Sequence, residues 1–103
     1  MEPSEDMNRH LPVVAIVRTI PDHTATVWEI LSQAVEAFRR EKGCHQYRLL
    51  TDLDDPARIV IIEGWRDAQA LQDHFESNAF QSMAKKLEGL LAEPPLVMRL
   101  RDV

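Results

Sequence analysis

Four side chains have the types and spacing to do chemistry: Tyr47, Glu63, Trp65 and His74, with Phe75 and Phe80 as aromatic walls near the last of them. His74 falls three residues after Leu71 in a stretch with helical periodicity, so it sits at the edge of an apolar stripe. An imidazole titrates near neutral pH, and in a pocket it could take the proton of a phenolic hydroxyl. The same ring could instead pack beneath a sheet and bond a backbone carbonyl. Glu63 and Trp65 are two residues apart in a strand-like run and share a face with Ile59 and Ile61. A carboxylate on an apolar face must be paired or protonated. Glu63 therefore either holds a proton or orients a base, or else pairs with Arg18, Arg48 or a helix N-terminal amide. Tyr47 could donate to a substrate oxygen and Trp65 could support a ring; both could equally be core.

Other chemistries find little support. The stretch "EKGCHQYRLLTD" holds the lone cysteine, but Cys44 follows a predicted helix C-terminus, where nothing lowers a thiol pKa. It reads as a small apolar group. His45 alternates onto the Tyr47 face. The four histidines are scattered, with no H-x-H, H-x-x-x-H or C-x-x-C spacing, so no metal site is expected. No phosphate-binding glycine loop is present, and no nucleotide cofactor is implied.

These residues need elements to position them. Residues 1–10 are polar and charged and read as a flexible tail, with one domain over 11–103. "PVVAIVRTI" reads as a strand. From Thr24, the spacing of Val27, Leu31, Ala34, Val35 and Phe38 predicts a helix that Asp22 or Thr24 could cap. Glu41-Lys42-Gly43 ends it, with Gly43 where a left-handed residue is wanted. "HQYRLLT" and "RIVIIEGW" form a hairpin across the acidic turn "DLDDPA". Ile59–Ile62 is apolar on both faces, so helices cover one side and a second copy of the chain is expected to cover the other. A second helix, capped by Asp67 and broken or restarted at Ser77, carries Leu71, Phe75, Phe80, Met83, Leu87 and Leu91 up to Pro94-Pro95. "LVMRLRDV" is the last strand. The order βαββαβ is the ferredoxin-like α+β arrangement.

Composition bounds the partners. The formal charge is −5, with 17 acidic and 12 basic residues interspersed, so no nucleic-acid footprint is expected. No apolar run reaches the length of a membrane helix, and the polar N-terminus lacks the apolar core of a secretion signal. With a single cysteine, a cytoplasmic location is expected.

Taken in series, Glu41-x-Gly43-Cys44-x-x-Tyr47, Asp52-x-x-Asp55-Pro56, Glu63-x-Trp65 and Ala70-Leu71-x-x-His74 resemble the antibiotic biosynthesis monooxygenase family, including its small quinol monooxygenases. The resemblance spans roughly residues 12–101. It implies a homodimeric α+β barrel with a pocket in each subunit. It also implies a cofactor-independent monooxygenase acting on a small aromatic, a quinol or polyphenol, that supplies its own electrons to dioxygen. On that reading His74 is the base and Glu63 tunes it, while Tyr47, Trp65, Phe75 and Phe80 bind the ring. Haem-degrading relatives use an Asn on the first strand and a Trp on the second helix. "VVAIVRTI" has no Asn, and Ala84 stands at one of the helical positions. Two other readings of the same pocket are an isomerase or lyase, and a non-catalytic binding dimer.

Overall fold

The computed structural model describes residues 10–103. The expected tail, residues 1–10, thus lies outside the described residues except for His10, which is exposed. Four strands and three helices follow: β1 (Leu11–Arg18), α1 (Thr24–Arg39), β2 (Cys44–Asp52), β3 (Asp55–Trp65), α2 (Ala68–Glu76), α3 (Asn78–Leu87) and β4 (Leu96–Arg99). The sheet is antiparallel throughout, in the order β2-β3-β1-β4. This is the ferredoxin-like α+β fold.

Strand periodicity explains the core. Val13, Ala15 and Val17 on β1 and Ile59, Ile61, Glu63 and Trp65 on β3 point to the helices and are buried. Val27, Leu31, Val35 and Phe38 of α1 meet them, as do Leu71, Met83 and Leu87 from the other two helices. The alternate set, Val14, Ile16, Val60 and Ile62, lies on the opposite face and is half-buried, beside Leu96 at 53% exposure.

Three local expectations are corrected. The first helix is capped by neither Asp22 nor Thr24. A 3₁₀ turn over Pro21–His23 precedes it, and the Thr24 hydroxyl instead meets Thr19 Oγ1 at 2.6 Å and Pro21 O at 3.1 Å. The last helix stops at Leu87 rather than at Pro94-Pro95, because Gly89 turns left-handed (φ 80°) and Leu91 bridges to Thr19. His45 is exposed and does not share the buried face of Tyr47. A β-bulge between Cys44 and Gln46 leaves it without a partner on β3 and reverses its direction.

Other signals hold. Asp67 Oδ1 accepts from the Ala70 amide at 2.8 Å, capping α2. Ser77 is extended (ψ 151°) and breaks the helix, and its hydroxyl caps α3 by accepting from Phe80 N at 3.1 Å. Gly43 is left-handed, with φ 88°.

Candidate functional site

The turn after α1 does more than end a helix. Cys44 N donates to Glu41 O at 3.0 Å and Arg66 N to Gly43 O at 2.7 Å, clamping the turn to the start of α2. A β-carbon at Gly43 would lie 2.7 Å from Ala70 Cβ, so only glycine lets the turn come this close. That approach brings Glu41 to His74: Nδ1 is 2.9 Å from Glu41 Oε1 and 3.2 Å from Oε2.

His74 is 1% exposed and enclosed by rings. Trp65 lies 4.6 Å away between centroids at 33°, Phe38 4.6 Å away edge-on, and Phe80 5.0 Å away at 70°. Phe75 and Tyr47 complete the shell at 5.6 and 5.8 Å. All six residues singled out from the sequence therefore converge: His74, Glu63, Tyr47, Trp65, Phe75 and Phe80. Glu63 pairs across the ladder with Tyr47, and its Oε1 accepts the Trp65 indole N–H at 2.9 Å. The ion pairs considered for it are not formed; Arg18 instead bonds Asp55 at 2.8 Å and approaches Glu93 at 3.4 Å.

Burial sets the charge states. Desolvation pushes the Glu63 carboxyl up to about 7, against the Trp65 bond that favours its anion. Desolvation also raises Glu41 and lowers His74, so the imidazole stays neutral. Once Glu41 is ionised its oxygens only accept, so Nδ1 must carry the hydrogen and Nε2 must present a lone pair. No group among the described residues hydrogen-bonds Nε2. Tyr47 is held protonated by burial and by the nearby Glu63 carboxylate. The dyad can thus take a proton at Nε2, with Glu41 stabilising the resulting imidazolium.

The sequence marks Glu41 as part of a helix stop and of the family motif series, without a role in the site. The available signal was electrostatic, since an acid just past a helix C-terminus is locally unfavourable and so suggests another partner. Cys44, half-buried with its Sγ 3.6 Å from Gln46 O, has its thiol pKa raised, largest by desolvation. Cys44→Ala should leave any turnover within about twofold of wild type in initial-rate assays, since a protonated thiol is a poor nucleophile. Among the described residues no group of three His, Cys, Asp or Glu side chains is placed to hold a metal.

Glu63 also makes a stability prediction. Its folded pKa, about 7, lies above the ordinary value of 4.5, so the folded state holds the proton more tightly. That contribution is complete below pH 4.5 and is lost as pH rises through about 7. Gln keeps an acceptor for Trp65 but does not titrate. Urea midpoints should therefore show Glu63→Gln gaining on wild type as pH rises across that window; parallel curves would contradict a protonated Glu63.

The sequence profile of the antibiotic biosynthesis monooxygenase family matches residues 11–86. Among relatives, YcnE of Bacillus subtilis, provisionally named a monooxygenase, is 35% identical over 69% of this chain and 78% of its own. YgiN of Escherichia coli, provisionally named a quinol monooxygenase, is 27% identical over 81% of this chain and 89% of its own. Of a Synechocystis relative, 28% identical, the chain spans 56% of the length. A crystal structure from Pseudomonas aeruginosa superposes with a TM-score of 0.87 at 30% identity, covering 94% of this chain and 97% of that one. The chain belongs to the antibiotic biosynthesis monooxygenase family.

Proposed function

We propose that the protein is a cofactor-independent monooxygenase that oxidises a small quinol or polyphenol with dioxygen. The observation that carries this reading is the His74–Glu41 pair, a neutral imidazole enclosed by aromatic rings with its Nδ1 bonded to a carboxylate at 2.9 Å. Such a base removes a hydroxyl proton, and the phenolate formed is a far better electron donor than the phenol. The substrate carbanion equivalent and dioxygen then form a C–O bond. The resulting hydroperoxide breaks its O–O bond, losing water and leaving an oxidised ring. The stoichiometry is quinol plus O₂ giving hydroxyquinone plus H₂O: one oxygen atom enters the ring, and the ring supplies all the electrons. Tyr47, kept protonated by burial, supplies a donor near the ring, and the dry aromatic walls keep water from the intermediate.

Monooxygenase-named relatives support the reaction class, and the YgiN name supports the quinol. The test is oxygen uptake by chelator-treated protein with a panel of quinols. Uptake above the spontaneous rate is expected; none above background would favour an isomerase or a binding protein.

The half-buried apolar sheet face, extended by exposed Leu96 beside Ile16, supports a homodimer closed sheet to sheet. Its expected mass in solution is about twice the 11.8 kDa chain. A monomer by light scattering at micromolar concentration would contradict it. The site of action proposed is the cytoplasm, supported by the single cysteine. Among the described residues no helix is long and apolar enough to cross a membrane.

A further inference from the structure

His74 is buried, yet a substrate must reach its Nε2. A cavity of about 470 Å³ lies between α3 and the segment leading to β4, walled by Met83, Leu87, Leu91, Pro94 and Pro95. Among the described rings, one belongs both to this lining and to the shell around His74. That ring is Phe80: it lines the cavity, and it packs edge-on to His74 at 5.0 Å and against Phe75 at 5.2 Å. It is the partition between the space and the base.

Its placement suits that role. Phe80 is half-buried in the first turn of α3, just past the extended Ser77. The Ser77 hydroxyl accepts from Phe80 N at 3.1 Å and donates to His74 O at 2.8 Å, so one side chain fixes the backbones of both base and partition.

The lining specifies the ligand. Its charged members are Glu88 and Glu93, both acidic; Arg18 approaches Glu93 at 3.4 Å from outside the lining and offsets part of its charge, which leaves Glu88 as the acid facing a ligand. An anionic head would be repelled and left unpaired, whereas an uncharged ring would be bound by apolar contact.

We propose that this cavity is the ring-binding vestibule of the site, selective for uncharged one- or two-ring aromatics, and that Phe80 governs passage from it to His74. The inference rests on the proposed function for its substrate but not for its test. A neutral phenol enters undissociated and loses its proton only at His74, so the phenolate forms where dioxygen can meet it and water cannot.

The experiment uses the full chain labelled with ¹³C-methyl methionine and titrated with 1-naphthol under argon. Met83, buried in the cavity wall, should shift and saturate, while Met98 on β4 should not. Naphthalene-2-carboxylate should bind roughly tenfold more weakly or less well still. Phe80→Ala, or Phe80→Leu should the first not fold, should change 1-naphthol affinity by roughly tenfold. It should also let 1-naphthol shift the His74 Cε1–H resonance more than in wild type. A silent Met83 with saturable naphthol binding elsewhere overturns the vestibule even if oxygen uptake occurs. A Met83 signal that responds to protein concentration but not to naphthol gives the cavity to a second copy, and also overturns it. Met83 binding without oxygen uptake in any quinol assay would sustain the vestibule and sink the oxygenase.

Discussion

His74→Ala should lower quinol turnover by about 10²- to 10⁴-fold, the usual contribution of a positioned general base. The loss should fall on kcat, because the aromatic walls that bind the ring remain. Truncation also removes a buried ring at the centre of five aromatic contacts, so some destabilisation is expected from the cavity left behind. Circular dichroism and a urea titration separate the two effects: the variant should remain folded under assay conditions while inactive. Glu41→Gln provides the second arm. Gln can still bond Nδ1 but cannot stabilise an imidazolium as a carboxylate does, so activity should fall less than in His74→Ala. The rise of rate with pH that accompanies Glu41 ionisation, near 7, should flatten. Full activity in His74→Ala with intact folding would remove the base from the account.

Gly43→Ala should destabilise the fold by about 2–5 kcal/mol, a large part of the stability of a domain this small. Two costs combine. At φ 88° an L-residue with a β-carbon is strained, and that carbon would lie 2.7 Å from Ala70 Cβ. Neither partner can yield cheaply, since both are β-carbons fixed to their backbones. Gly89 is an internal control: its φ is 80°, but a β-carbon there meets nothing within 4 Å. Gly89→Ala should therefore cost only the backbone strain, about 1–2 kcal/mol. A comparison of urea midpoints isolates the steric contact. If the two substitutions cost the same, the close approach of the turn to α2 is not what Gly43 provides. Because that approach carries Glu41 to His74, Gly43→Ala should also weaken the dyad in whatever fraction remains folded.

Much of this arrangement was legible in the chain. Period-two burial in β1 and β3, the Asp67 cap, the Ser77 break and the left-handed Gly43 are local features, and local features follow from local chemistry. The convergence of Tyr47, Glu63, Trp65 and His74 followed from placing a strand pair and a helix on one core. Long-range and backbone details did not. The bulge that turns His45 outward has no marker in "GCHQY", where simple alternation is the natural reading. The early end of α3 depends on Gly89, a weaker stop signal than Pro94-Pro95. The pairing of Glu41 with His74 was not legible because the two lie 33 residues apart, on different elements. The Glu63 pairing with Trp65 rather than an arginine was missed because an i, i+2 bond on one strand face competes well with a distant cation.

The central claim is that this chain, without a cofactor, puts one atom of dioxygen into an aromatic ring. Chelator-treated protein should be given a quinol under ¹⁸O₂ in unlabelled water, and the product read by mass spectrometry beside a peroxide assay. The account predicts one ¹⁸O atom in the organic product, no accumulation of hydrogen peroxide, and loss of the label in His74→Ala. An unlabelled quinone with stoichiometric peroxide would show two-electron oxidation without oxygen insertion, and would contradict it.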